Sequence, residues 1–265
     1  MRIDLRGRRA LVTGSTAGIG AAIALGLAAA GAQVVVNGRD RERADRIARL
    51  IGEQHGVVAE PRSVIADVGT AEGCAALAEA VPDLDILVNN AGTFAPIPVF
   101  EIPDDEWLRH FEVNVLSGVR LARRHVPGMV ARGWGRVVFI SSESAVQIPA
   151  EMVHYGMTKT AQLAVSRGMA ESVPASGVTI NSVLPGPTLT EGLRAMFAAR
   201  GITGEEEVER AGREFLAENR PTTLLGRLAT PEEVANMVVY LCSEQASATT
   251  GAALRVDGGV IRGIP

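Results

Sequence analysis

Between Leu11 and Gly38 the chain carries no charged residue. Length alone would let this run span a membrane, which takes ~20 apolar residues. Its make-up argues otherwise. Gly14, Gly18, Gly20, Gly26, Gly31 and Gly38 interrupt it, Ser15, Gln33 and Asn37 add polar groups, and alanine is the commonest residue of the rest. A buried strand, a tight turn, a helix and a second strand account for it better, because the elements of a parallel sheet are apolar on every face. The run therefore points to a layered fold with a sheet covered on both sides.

The rest of the chain repeats that unit. β-rich apolar runs fall at residues 9–13, 33–37, 63–68, 85–89, 136–141, 178–183 and 253–256. Helical stretches fall between them, at 18–31, 40–55, 70–80, 103–125, 153–172 and 230–242. Asp40 and Thr230 are read as N-caps, the latter with Pro231 in the first turn. Strict β-α alternation implies an α/β fold, and right-handed crossovers narrow it to a doubly wound Rossmann sheet. The expectation is a single domain over 1–265, with a seven-stranded parallel sheet and helices on both faces. Residues 188–228 break the rhythm, being polar and helix-rich without a strand signal. They follow the carboxyl end of a strand, where ligands bind in such folds, and are read as a substrate lid.

Composition removes several classes. A content of 47% hydrophobic and 21% charged residues excludes disorder, and a net charge of −4 gives no footprint for nucleic acid. Cys74 and Cys242 form neither a disulfide framework nor a metal site, which fits a reducing, cytoplasmic location. The start of the chain shows no targeting signal and no membrane partner is expected. His55, His110, His125 and His154 show no metal-ligand spacing, and His154 is read as a helix-surface or pocket-rim residue.

The first strand leads into Thr13-Gly14-Ser15-Thr16-Ala17-Gly18-Ile19-Gly20. Glycines at such a turn let backbone approach a pyrophosphate, and the helix start offers free N–H groups. A tight turn that merely needs small residues is the alternative. A P-loop is excluded, since no Gly-Lys-Ser/Thr follows. The second strand ends Asn37-Gly38-Arg39, without the acid that would take the ribose hydroxyls of NAD(H). Arg39 suits a 2′-phosphate, so NADP(H) is preferred and NAD(H) kept open; a solvated arginine is the alternative. Asp67 could accept from an adenine amino group or cap its own loop. Asn89-Asn90-Ala91-Gly92 suits either a backbone close to a ribose or a turn.

Lys159 is the only lysine among 26 basic residues, and it follows Tyr155, one of two tyrosines, by four positions. On a helix that spacing puts both on one face. An ammonium beside a phenol favours phenolate and lowers its pKa, toward general acid–base use. A surface pair is the alternative. Ser141 and Ser142 end the fifth strand, where a hydroxyl could face the Tyr155 helix and bind a carbonyl oxygen. Asn114 stands in mid-helix, where asparagine is a poor former, and could bind a water at a local bulge or simply be solvated. Phe94, Val146, Ile148, Met152, Leu189, Met196 and Phe197 are candidate pocket walls, with core packing as an equal explanation. Glu143, Gln147 and Glu151 are polar neighbours without an assigned place.

Taken together, Thr13–Gly20, Asn89–Gly92, Asn114, Ser142, Tyr155, Lys159, Pro185-Gly186-Pro187-Thr188 and Arg255–Gly259 resemble the short-chain dehydrogenase/reductase family over essentially the whole chain. The resemblance is to its 3-oxoacyl-reductase-like members. It implies that Tyr155 gives or takes the proton and Ser142 orients the substrate oxygen. It implies that Lys159 binds the nicotinamide ribose and that Asn114 holds a relay water. Thr188 would contact the carboxamide, with Pro185 and Gly186 beside it, and Asp67 with Val68 the adenine. Gly14, Ser15, Thr16, Gly18, Ile19 and Gly20 would hold the pyrophosphate, and Asn90, Ala91 and Gly92 would complete the dinucleotide site. One departure is Ala17, where NADP-using members often carry a basic residue. The expected function is NADP(H)-dependent interconversion of a ketone and a secondary alcohol. An NAD-dependent alcohol or polyol dehydrogenase and a non-catalytic dinucleotide-binding protein are the alternatives. A hydrolase is excluded, since no G-x-S-x-G occurs. The family likeness and the apolar tail around Val260, Ile261 and Ile264 imply a homotetramer acting on a small carbonyl or alcohol substrate.

Overall fold

The computed structural model describes residues 2–53 and 62–264. Seven strands form one sheet: β1 (Arg9–Val12), β2 (Gln33–Gly38), β3 (Arg62–Ile65), β4 (Ile86–Asn89), β5 (Gly135–Ile140), β6 (Val178–Pro185) and β7 (Ala253–Val256). Their order is β3-β2-β1-β4-β5-β6-β7, and every pair is parallel. The reversal of order between β1 and β4 creates the crevice at which doubly wound sheets bind ligands.

Strand residues alternate between two cores. Ala10, Val12, Val34, Val36, Ile86, Val88, Val138 and Ile140 belong to one, while Leu11, Val35, Leu87, Val137 and Phe139 belong to the other. Helices α1 (Gly18–Ala29), α2 (Arg41–Gly52) and α9 (Pro231–Leu241) cover the first face. Helices α3 (Ala71–Ala80), α5 (Ser117–Ala131) and α6 (Val153–Glu171) cover the second. Both faces of the central strands are thus dry, which explains their continuous apolar sequences.

The caps read from sequence are present. Asp40 accepts from the Arg43 amide, and Thr230 and Glu233 form a reciprocal capping box. His55, and with it the expected end of the second helix, lies outside the described residues. Strand β3 stops at Ile65, short of the expected 68, and Asn37 Nδ2 donates to the Val64 and Ala66 carbonyls as the chain leaves the sheet. The expected helix at 103–125 is instead α4 (Asp104–Phe111), a π turn (Glu112–Leu116) and α5, which runs on to Ala131 through Pro127. Pro127 and Arg123 are exposed, which places the proline on the solvent side of the helix. Residues 188–228 hold α7 (Glu191–Ala198) and α8 (Glu205–Asn219) around a small core of Phe197, Val208, Ala211, Leu216 and Leu228. No helix among the described residues is long and apolar enough to cross a membrane.

His125 is buried in α5, and its Nε2 finds no partner among the described residues. Burial, aided by Arg124 and Arg132, pushes its pKa down to about 4. The unfolded chain therefore binds a proton that the folded chain resists as pH falls from ~6.5. Stability should drop between pH ~6.5 and ~4, with His125 contributing on the order of 3 kcal/mol at the acid end. Urea unfolding of wild type and His125→Leu across this window checks it: the variant should show the flatter profile, and parallel profiles would refute the assignment.

Candidate active site

The carboxyl ends of β1, β4, β5 and β6 bring the sequence candidates to one edge. After β1, Gly14 takes φ +61°, a left-handed backbone that glycine accepts without strain, and a Cβ there would lie 3.0 Å from Ala91 Cα. A Cβ on Gly20 would collide with Asn90 Nδ2 and the Gly14 carbonyl. The turn is clamped from β4: Asn90 Nδ2 donates to the Thr13 and Gly14 carbonyls at 2.9 and 3.0 Å, and Thr13 Oγ1 accepts from the Asn90 and Ala91 amides at 3.0 Å each. Ser15 is fastened to the end of β2, its amide donating to the Asn37 carbonyl at 2.9 Å, and Thr16 packs against Gly38. Gly18, Ile19 and Gly20 open α1, whose first turn has no acid and no side-chain cap at Ala17. Its leading N–H groups are open to an anion.

Arg39 follows β2 directly, its side chain 80% exposed and its guanidinium 3.9 Å from Asp67. Asp67 also accepts from the Gly69 amide, so the loop-capping alternative describes one of its oxygens. Val68 beside it is buried. Gly92 faces Asn114 Oδ1 and Lys159 Nζ. Pro185 ends β6, Gly186 lies against Asp257, and Thr188 Oγ1 donates to the Gly186 carbonyl at 2.9 Å.

Tyr155 and Lys159 open α6, with the ammonium 5.5 Å from the phenol ring centre. Lys159 is 4% exposed; its Nζ donates to the Ile140 carbonyl at 2.9 Å and to Gln162 Oε1 at 3.3 Å. Burial pushes its pKa down to about 7. The expectation that the ammonium lowers the phenol pKa is not met in this state. Although Tyr155 keeps some exposure as a residue, enclosure of its phenol raises the pKa above the ordinary value. The Ser142 hydroxyl opposes that rise, Glu143 adds to it, and Arg220 opposes it. The cause is dielectric: two groups withdrawn from water both prefer their neutral forms.

Asn114 lies in the π turn, buried rather than solvated. Its Oδ1 accepts from the Thr93 amide at 2.7 Å, and its Nδ2 donates to the Thr93 carbonyl at 3.0 Å and to Thr158 Oγ1 at 2.9 Å. The local bulge inferred from its poor helix propensity is therefore real. Ser142 donates to Glu143, whose other oxygen takes Arg220 Nε at 2.7 Å; Arg220 also reaches Glu151 at 3.4 Å. This buried ion pair joins the end of α8 to the Ser142 loop. Sequence reasoning placed Glu143 and Glu151 nowhere and missed Arg220, since a contact across 77 positions leaves no local pattern.

His154 is fully buried, not on a surface or rim. Its ring meets Trp107 edge-on at 5.9 Å and His110 at 4.1 Å. Glu106, His110 and His154 each bring one ligand-type atom within 4.8 Å of the others, a grouping that spacing along the chain did not announce. Arg109 donates to both Glu106 oxygens, at 2.7 and 2.5 Å, and His110 Nδ1 lies 3.3 Å from one of them. Among the expected walls, Phe94 is 70% exposed and meets Tyr155 edge-on at 6.1 Å, and Val146 and Ile148 are exposed nearby. Phe197 is instead buried in the core of the 188–228 segment, where its apolar surface has α8 to pack against.

Comparison with known proteins agrees with this geometry. A family model described as enoyl-(acyl carrier protein) reductase matches residues 14–261. The uncharacterized oxidoreductase YvaG of Bacillus subtilis is 48% identical over the full length of both chains. The 3-oxoacyl-[acyl-carrier-protein] reductase FabG of Aquifex aeolicus is 33% identical, covering 98% of this chain and 100% of its own. The crystal structure of L-sorbose reductase from Gluconobacter frateurii, complexed with NADPH and L-sorbose, superposes with a TM-score of 0.92 at 36% identity, covering all of both chains. With its seven-stranded parallel sheet, its clamped glycine turn and these relatives, the chain belongs to the short-chain dehydrogenase/reductase family and is an oxidoreductase of that class.

Proposed function

We propose that the protein is an NADP(H)-dependent oxidoreductase that interconverts a ketone and a secondary alcohol, with Tyr155 as general acid and base. One arrangement supports this reading: the Ser142 hydroxyl bears on the Tyr155 phenol and the buried Lys159 ammonium lies 5.5 Å from that ring, at the same sheet edge as the uncapped start of α1. The uncapped, acid-free start of α1 fits a pyrophosphate held by Gly14, Ser15, Thr16, Gly18, Ile19 and Gly20. Asp67 and Val68 would flank the adenine, Asn90, Ala91 and Gly92 the ribose, and Pro185, Gly186 and Thr188 the carboxamide. The dinucleotide supplies or accepts the hydride when bound.

The chain does the rest. Ser142 orients the substrate oxygen once its hydroxyl proton turns from Glu143. Tyr155 gives it a proton in reduction and takes one in oxidation; its raised pKa keeps the proton in place before substrate arrives. Lys159 presents an ammonium to the ribose and, when charged, stabilises the phenolate. Asn114, fastened to Thr93 and Thr158, is assigned the water that returns protons. Arg39, with no acid at Asn37 or Gly38, favours the 2′-phosphate, and the NADPH complex of the L-sorbose reductase supports that preference. The neutral Ala17 is what an NAD-dependent alcohol or polyol dehydrogenase would share, so cofactor choice is the point to test. Residues 188–228, carrying their own small core and tied to Glu143 through Arg220, are proposed as a lid that excludes water from the carbonyl.

Tyr155→Phe should lose on the order of 10²–10⁴-fold in turnover while keeping cofactor affinity, because only the proton donor is removed. Lys159→Arg keeps the charge but replaces a compact ammonium with a planar fork, and should lose about 100-fold. Turnover with a ketone panel, cofactor titration and thermal melting check both, and near-normal turnover by either variant would refute the assignment. Arg39→Ala should raise the KM for NADPH about ten-fold and leave NADH nearly unchanged. A wild-type preference for NADH would instead select the second reading. Limited proteolysis should cut near Gly201 and Gly204 in the free enzyme and slow when cofactor and substrate are added; equal cutting would mark the segment as rigid.

A further inference from the structure

Gln162 follows Lys159 by three positions on α6 and is 1% exposed. Both ends of its amide are engaged. Oε1 accepts from Lys159 Nζ at 3.3 Å, and Nε2 donates to the main-chain carbonyl of Asn114 at 2.6 Å. Flipping the amide would set NH₂ against an ammonium and one carbonyl against another, so its orientation is determined. The Lys159 ammonium has three N–H bonds, of which Ile140 at the end of β5 takes one and Gln162 a second. Fixing two of three tetrahedral directions fixes the third. The same amide ties the lysine to the π turn, whose Asn114 side chain is fastened to Thr93 and Thr158.

We propose that Gln162 is a positioning residue: its amide sets the direction of the Lys159 ammonium and couples it directly to the π turn that carries Asn114. The proposal rests on the reading of Tyr155 and Lys159 as the catalytic pair. A lysine confined by packing alone would point wherever the cavity allowed. One gripped by two neutral acceptors keeps its remaining donor aimed, and a misplacement of ~1 Å is costly in catalysis. The charge state is engaged too. The titratable group facing the ammonium is Tyr155 on the same helix; β5 offers it the Ile140 carbonyl and the π turn lies across the Gln162 amide. Glu143 and Arg220 bear on Tyr155, whereas burial is what acts on Lys159. Among the described residues the hydrogen-bond partners of Nζ are two neutral acceptors and no carboxylate, and these are the contacts that can favour the charged form against burial.

The single lysine of the sequence makes this directly readable. Full-length protein labelled with ¹³C-lysine gives one side-chain Cε resonance, and its titration reports Lys159 alone. Gln162→Leu removes one acceptor and should lower the midpoint by about one pH unit, whereas Gln162→Glu places a carboxylate there and should raise it by about one unit or more. Turnover should fall about ten-fold or more in Gln162→Leu, with kcat affected more than the KM for cofactor. If the leucine variant fails to fold, Gln162→Met and Gln162→Glu carry the same comparison. Midpoints within about 0.3 unit of wild type overturn the proposal, and so do shifted midpoints with unchanged turnover. Failure of the catalytic-pair reading shows separately, as full turnover by Tyr155→Phe.

Discussion

A parallel sheet must be dry on both faces, and the rest of this molecule follows from meeting that requirement. Each strand returns to the sheet through a helix that covers one face, so every strand points the same way. Chemistry-bearing residues at strand ends then collect along one edge, although the chain visits that edge at Gly14, Asn90, Ser142 and Gly186 in turn. The two alternating cores, with Val34 and Val36 on one side and Val35 on the other, hold that edge in register.

At the edge the same dryness governs the electrostatics. Lys159 and Tyr155 are enclosed, and enclosure penalises the charged form of each, lowering the lysine pKa and raising that of the tyrosine. Burial alone thus works against charge on either group, and charge on the pair has to be supported by specific neighbours. Ile140, Gln162 and Ser142 are the neighbours the fold provides. The π turn contributes by burying Asn114 and presenting its carbonyl to Gln162, consistent with the frequent placement of such turns at functional sites.

The 188–228 segment is joined to the site through charge. Arg220 at the end of α8 pairs with Glu143 at low exposure and reaches the more exposed Glu151. Removing one partner of such a buried pair would strand the other charge away from water, which costs far more than losing an exposed ion pair. The segment packs around its own core, formed by Phe197, Val208, Ala211, Leu216 and Leu228.

The sequence by itself determined the layered fold, the glycine turn and the shared helix face of Tyr155 and Lys159. Each is a local pattern: apolar runs alternating with helical ones, glycines at a fixed offset, and an i, i+4 spacing. The bulge at Asn114 was also legible, because asparagine is a poor helix former. Only the tertiary structure decided that His154 is buried against His110, that Phe197 faces the segment's own core, that Arg220 meets Glu143, and that Gln162 grips Lys159 and the Asn114 carbonyl. Apart from the Gln162–Lys159 spacing, these contacts join residues 44 to 77 positions apart or, for Phe197, separate helices, and partners that far apart are chosen by packing between elements. The pKa shifts belong with them, since they depend on how much water the assembled fold excludes and not on which residues neighbour one another along the chain.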